Sequence, residues 1–260
     1  MAAKVRLDQL LVERGLAESR GRAQALILAG QVFSGARRLD KPGQLVAPEA
    51  ALDVRGRGPG YVSRGGVKLA HALDRFGIDP QGLVALDVGA STGGFTDVLL
   101  RRGAARVYAV DVGVGQLDWR LRGDPRVVVL EKTNARFLTR DQVPEPVDLV
   151  VCDASFIPLR VVLPAPLALA GEGARLVALI KPQFEVGKGR VGKGGVVRDP
   201  ALHEEVCAGI VRWLEDEIGW RVAGVTPSPI KGPAGNVEFL VAAERPRATA
   251  GEAAGGPSAR

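Results

Sequence analysis

Fourteen residues, Leu83 to Thr96 (LVALDVGASTGGFT), combine the residue types of a ligand site. An apolar run ends on Asp87, turns through Gly89, Gly93 and Gly94, and enters Phe95-Thr96-Asp97-Val98-Leu99-Leu100. The pattern predicts a buried strand, a glycine-bent loop and a helix start, the arrangement that offers a nucleotide-like ligand to the carboxyl edge of a parallel sheet. The next apolar run, RVYAV, ends at Asp111, 22 residues beyond Gly89, where a carboxylate can accept both hydroxyls of a ribose. Ser91 stands at the second glycine of G-x-G-x-x-G. A pyrophosphate loses its close backbone approach there, which disfavours a dinucleotide. S-adenosylmethionine carries no phosphate, and Asp87 suits its positive methionine end. A third strand leads to Asn134, which can contact an adenine edge. The candidate cofactor residues are Asp87, Gly89, Ser91, Gly93, Gly94, Phe95, Thr96, Asp111, Asn134 and Asp153.

The acceptor of the methyl group is read from the fourth and fifth strands. VDLVVCD ends in Asp153-Ala154-Ser155-Phe156 and lacks the two prolines of the Asn/Asp-Pro-Pro-aromatic box typical of base-amine methylation. Carbon methylation of a pyrimidine needs a thiolate in an electropositive setting. Cys152 lies inside an apolar strand and Cys207 inside a predicted helix, so both read as inert. ARLVALI finishes at Lys181-Pro182, a lysine closing an apolar strand beside Asp153. A sugar hydroxyl is a poor nucleophile and needs a base; a lysine serves once burial or a neighbouring cation lowers its ordinary pKa of about 10.4.

These residues need an alternating scaffold. Strands are predicted at 83–88, 106–110, 126–130, 147–152 and 175–180, with helices between most of them and a further helix at 201–218. That alternation predicts a mostly parallel sheet covered on both faces. The runs 221–226 and 236–243, joined by PSPIKGPAGN, predict a terminal antiparallel pair. Ahead of this unit, Val5–Leu16 and Ser19–Ala29 carry helical spacing, with Ser19 as N-cap and Gly30 as C-cap, followed by small strands at Val32-Phe33, Ser34-Gly35 and Leu45-Val46. The domain reading is a small α+β module at 1–54, a linker at 55–62, the catalytic domain at 63–245 and a disordered tail at 246–260.

The first 60 residues hold ten Lys/Arg against six Asp/Glu, a concentrated share of a net charge of +6. Such a surface attracts phosphate backbones, although a solvated arginine-rich surface fits the count equally well. No run of about 18 apolar residues spans a membrane and no signal core opens the chain. Two cysteines are too few for a disulfide framework and point to a reducing cytoplasm. Two isolated histidines make no metal cluster.

At these residues the chain resembles the TlyA family, the haemolysin A-like proteins. VRLDQLLVERGLAESRGRAQALILAGQVFSG resembles S4 RNA-binding domains, and YVSRGGVKL, VCDASF and IKPQFEVGKGRVGKGGVVRDP carry the rest. The resemblance implies a Rossmann-like class I methyltransferase, with a seven-stranded, mostly parallel sheet and an antiparallel terminal strand, behind a small α+β S4 domain. It also implies methylation of a ribose 2′-hydroxyl, of cytidine, in 16S and/or 23S ribosomal RNA, with ribosomal subunits as partners and no membrane. A Lys-Asp-Lys-Glu tetrad like that of FtsJ-type ribose methyltransferases falls on Lys68, Asp153, Lys181 and Glu238, with Lys181 expected as base. Phosphate contacts fall on Arg6, Arg20, Arg22, Arg37, Arg38, Lys41, Arg64, Lys188, Arg190 and Lys193. One departure is Ser34-Gly35, where S4-like modules often carry Asn-Gly; Pro59-Gly60 is another, in the linker. Competing readings are an RNA-binding assembly factor with a vestigial fold, and a membrane-lysing protein.

Overall fold

Apolar residues recur along VALDV, RVYAV and VDLVVC with little polar alternation, as strands do when both faces of their sheet are covered. In the computed structural model they form the centre of a seven-stranded sheet, within the second of two units, Met1–Gly60 and Tyr61–Arg260. The structure describes residues 4–17, 19–28, 30–35, 37–54, 60–187, 189–232 and 234–247.

In the first unit the elements are β1 (Val5–Arg6), α1 (Leu7–Glu13), α2 (Arg20–Leu28), β2 (Val32–Ser34), β3 (Arg37–Arg38), β4 (Leu45–Val46) and β5 (Leu52–Val54). Strand β1 pairs with β4, and β2 lies between β3 and β5, all antiparallel. Leu7, Leu10, Leu11, Ala23, Leu26, Ile27 and Val32 form its core. The Ser19 hydroxyl accepts from the Arg22 amide at 3.2 Å, so the expected N-cap is realised. Val5 and Arg6, expected as the start of the first helix, are instead a strand, because the chain pairs with Leu45-Val46 before it coils. Ser34 ends β2 and only Gly35 of the pair has positive φ (59°), so serine in place of asparagine carries no backbone strain.

The second unit runs α3 (Gly65–Phe76), β6 (Val84–Val88), α4 (Gly94–Arg101), β7 (Arg106–Val110), α5 (Trp119–Arg122), β8 (Val127–Leu130), β9 (Val147–Cys152), α6 (Leu159–Val162), α7 (Pro164–Ala168), β10 (Ala170–Ile180), α8 (Pro182–Glu185), α9 (Pro200–Arg212), β11 (Arg221–Pro227) and β12 (Phe239–Glu244). The strand order is β11-β12-β10-β9-β6-β7-β8. Only β12 runs against its neighbours. Leu86, Val88, Val150 and Cys152 face one apolar cluster, and Ala85, Leu149 and Val151 the other, so successive residues bury opposite faces. The order reverses between β6 and β9, the switch point at which such sheets open a crevice.

Several boundaries differ from the sequence reading. Tyr61 and Val62, expected in the linker, belong to the second unit: the Val62 amide donates to Asp97 Oδ2 at 2.9 Å, and the Arg101 guanidinium lies 5.1 Å from the Tyr61 ring. Strand β10 starts at Ala170 rather than 175, with an irregularity in its pairing to β9 between Ala170 and Arg175. Residues 236–238 precede β12 because Asn236 turns its side chain onto Val197 and Gly195. The expected tail begins within the described chain, with Arg247 against Gly173. Linker residues 55–59 and tail residues 248–260 lie outside the described residues.

Leu149 is fully buried between β6 and β10. Leu149→Ala should lower the unfolding free energy of the second unit by about 2–5 kcal/mol, read from the shift of its urea midpoint.

Candidate active site

The glycine loop is built by backbone pairing. The Gly89 and Ala90 amides both donate to the Val110 carbonyl, at 2.9 and 3.0 Å, which folds the loop back over β7. Gly89 has φ +82°, and a Cβ there would lie 3.0 Å from the Ala154 backbone, so only glycine lets this loop touch the end of β9. Ser91 also adopts positive φ (49°), the conformation that glycine supplies in the dinucleotide fingerprint. Its amide donates to Asp111 Oδ2 at 2.8 Å, while Gly113 donates to Oδ1 at 2.7 Å. Asp111 is thereby fixed at the rim of the loop with further lone pairs to offer a ligand. Gly93 and Gly94 are buried under Leu121 and beside Ser63 respectively, and Phe95 is buried in α4.

Asp87 lies beneath this loop, fully buried. Thr96 Oγ1 donates to its Oδ2 at 2.6 Å, and Oδ1 has no partner among the described residues. Burial is the main cause that raises its pKa to about 7; Asp153 and Asp111 add to the rise and Thr96 opposes it. Two carboxylates at one loop accept from hydroxyls, attract a cation and repel phosphate. The residues therefore fit S-adenosylmethionine. Asn134 is exposed but its Oδ1 caps the following turn, accepting from Arg136 at 3.1 Å, so its amide nitrogen is the group left for a ligand.

Four charged side chains meet at the neighbouring strand ends. Ile180 pairs with Phe239 in antiparallel register, which sets Lys181 beside Glu238. Cys152 pairs with Ala178 in parallel register, which brings Asp153 to the same edge. Lys68 reaches in from α3. Its Nζ lies 2.7 Å from Glu238 Oε2 and 3.9 Å from Asp153 Oδ2. Lys181 Nζ is 2.7 Å from Asp153 Oδ1 and donates to the Asp153 carbonyl at 3.0 Å and Ser155 Oγ at 2.8 Å. Lys68, Lys181 and Glu238 are buried, and Asp153 keeps a fifth of its side chain open. Among the described residues no group of three or more His, Cys, Asp or Glu could hold a metal. Burial raises the Cys152 thiol to about 12 and the Cys207 thiol to about 11, so neither is a thiolate nucleophile.

Sequence reasoning missed three features. Ser155 is a partner of Lys181. Asn236, 1% exposed, ties the loop around Val197 to the strand carrying Glu238. Phe156, directly after Asp153-Ala154-Ser155, has positive φ (65°) and is 89% exposed, with the Phe184 ring 5.0 Å away. An aromatic closing the strand-end motif was the available signal. The expected phosphate contacts differ in state. Arg22, Arg37, Arg38 and Lys41 are exposed. Arg64 donates to the Lys231 carbonyl at 2.9 Å. Arg190 is clasped by Glu205 at 2.5 and 2.6 Å, so its charge is already matched. Lys188 lies outside the described residues, and Lys193 is described only as the start of a short turn.

A reversing parallel sheet, an acid-lined glycine loop and a Lys-Asp-Lys-Glu cluster at its edge define a Rossmann-like methyltransferase. A family model described as FtsJ-like methyltransferase matches residues 61–245, and one described as S4 domain matches residues 5–52. The 16S/23S rRNA (cytidine-2'-O)-methyltransferase TlyA of Mycobacterium tuberculosis is 52% identical, over 93% of this chain and 90% of its own length. Hemolysin A of Brachyspira hyodysenteriae is 40% identical, over 91% and 98%. A solved structure from Streptococcus thermophilus, described as a hemolysin, superposes with a TM-score of 0.74 at 41% identity, over 95% of this chain and 90% of the other. The chain belongs to the TlyA family of FtsJ-like methyltransferases.

The raised Asp87 has a defined effect on stability. Below about pH 4 the carboxyl is protonated in both states; between about 4 and 7 the unfolded chain ionises first, so folding loses up to about 1.4 kcal/mol per pH unit. Asp87→Asn should therefore gain stability relative to the parent as pH rises from about 4 to about 7, and hold that gain above it. Urea unfolding of both proteins across this range checks the sign.

Proposed function

We propose that this protein methylates the ribose 2′-hydroxyl of a cytidine in 16S and/or 23S ribosomal RNA, using S-adenosylmethionine, in the cytoplasm. The observation that carries the reading is the paired cluster of Lys68, Glu238, Asp153 and Lys181 at the open edge of the sheet. Asp111 would hold the ribose hydroxyls of the cofactor, Asn134 Nδ2 a ring nitrogen of its adenine, and Asp87 its cationic methionine end. When bound, the cofactor supplies a methyl group on a sulfonium for direct transfer to an oxygen.

Transfer to a hydroxyl releases a proton, and Lys181 Nζ, having first given the proton of its ammonium form to solvent, receives it. The Asp153 carbonyl and Ser155 Oγ accept from two of the N–H groups of the ammonium that results, and Asp153 Oδ1 stands 2.7 Å away as its ion-pair partner. Preorganised acceptors of this kind favour the state in which charge has developed. Lys68 and Glu238 form the second pair and hold Asp153 from the other side, 3.9 Å from Lys68. Phe156, exposed beside the cluster and flanked by Phe184, is the stacking surface for an unstacked base. Exposed cations of the first unit grip phosphates, which position the RNA without reading its sequence. A purely binding role leaves the buried cluster without a use. Among the described residues no helix is long and apolar enough to cross a membrane.

Tritiated methyl transfer to purified ribosomal subunits, followed by alkaline hydrolysis, tests the reaction: label in an alkali-resistant dinucleotide supports ribose methylation, and label recovered in mononucleotides or no label at all overturns it. Lys181→Ala should abolish transfer while cofactor and subunit affinities stay within a few-fold; retained turnover removes Lys181 as the base. Phe156→Ala should lower kcat/KM for subunits by about 5- to 150-fold, the equivalent of one lost stacking contact, with cofactor affinity unchanged.

A further inference from the structure

The first unit buries a carboxylate that the methyl-transfer chemistry does not use. Asp8, in α1, is fully inaccessible to solvent. Its two oxygens collect four donors: Arg6 Nε at 3.0 Å and Nη2 at 2.9 Å, Arg20 Nε at 3.0 Å and Gln24 Nε2 at 3.0 Å. The arginines come from different elements, β1 and α2, yet both turn to one acid. Both remain partly open, with 42% and 58% of their side chains exposed. Arg6 is held from a second direction as well. A Cβ at Gly43 would come within 3.2 Å of Arg6 Nη1, so the guanidinium lies against bare backbone.

A guanidinium has five N–H donors. Arg6 spends two on Asp8 and keeps three; Arg20 spends one and keeps four. The remaining donors have no partner among the described residues. The Arg6 hydrogen bonds hold the Asp8 carboxyl well below the usual carboxylate range, with further lowering from Gln24 and Arg20 and opposition from burial, so the anchor stays charged at neutral pH. A bidentate contact also fixes the plane of the Arg6 fork, which a surface arginine otherwise leaves free.

We infer that Asp8 is a positioning residue that holds Arg6 and Arg20 as one preformed fork for an RNA phosphate. The inference rests on the reading of the first unit as RNA-binding and adds what makes two of its arginines effective. Ordering a long side chain on binding costs affinity, and Asp8 meets that cost before the RNA arrives. Charge alone predicts the opposite effect, since a carboxylate beneath a phosphate site repels the ligand.

This opposition in sign makes the test decisive. The full-length protein and its Asp8→Asn, Arg6→Ala and Arg20→Ala variants are titrated with purified ribosomal subunits between 50 and 200 mM salt. Each arginine variant should reduce the slope of log affinity against log salt by about one. Asp8→Asn should weaken binding about fivefold or more, the fold-change of ordering two arginines anew, and raise KM for subunits with kcat unchanged. If the arginine variants bind as the parent does, the RNA-binding reading of this face fails. If they weaken binding while Asp8→Asn binds equally or more tightly, the fork alone is overturned. Side-chain nitrogen relaxation of the unmutated protein needs no variant to fold: Arg6 and Arg20 Nε–H groups should be rigid beside that of exposed Arg22. Equal mobility of the three overturns the inference.

Discussion

Two lysines and two carboxylates are enclosed at one end of the sheet, and the geometry of the second unit follows from keeping them paired. An unpaired buried charge is costly, and removing one member of such a group leaves its partner uncompensated. Lys68 and Glu238 form one contact at 2.7 Å, Lys181 and Asp153 another at 2.7 Å, and the 3.9 Å approach of Lys68 to Asp153 joins them. The formal charges cancel, so the cluster is tolerated inside a fold whose other buried residues are mostly aliphatic. Such a balance is responsive to an added cation or a lost proton, which is the demand that methyl transfer to a hydroxyl makes.

The cofactor loop and the cluster are coupled through backbone. Gly89 lies against Ala154, the residue after Asp153, so the loop after β6 and the end of β9 share one contact surface. Asp87 and Asp153 also influence each other electrostatically, since Asp153 is among the causes that raise Asp87. A bound cation beneath the loop relieves that repulsion. The site thus joins an acidic loop to a charge-balanced cluster, on opposite sides of the β6–β9 switch point.

In the first unit one buried acid organises basic side chains by the same physics. Asp8 draws Arg6 and Arg20 to itself and leaves both side chains partly exposed. Both units use a carboxylate to position cations: Asp153 for Lys181 in one, Asp8 for Arg6 and Arg20 in the other.

Local chemistry was legible in the linear chain. The run into Asp87, the glycine loop and Asp111 at the next strand end follow from hydrophobic runs and backbone geometry, which depend on near neighbours. Lys181 was visible as a lysine closing an apolar strand. Lys68 and Glu238 were not visible in this way and entered only through family resemblance, because nothing local distinguishes them from a helix-start lysine and a strand-edge glutamate. The antiparallel register of β12 on β10, with Ile180 opposite Phe239, brings Glu238 to Lys181. Arg190 shows the converse: its sequence setting suggested a free cation, and Glu205, fifteen residues away, matches its charge. The residue sequence by itself determined most of the strand, loop and helix segments, with Val5-Arg6 an exception set by its pairing to Leu45-Val46. Tertiary structure alone decided which charges face one another, because strand register and helix docking join residues up to 170 positions apart, beyond the reach of any local periodicity.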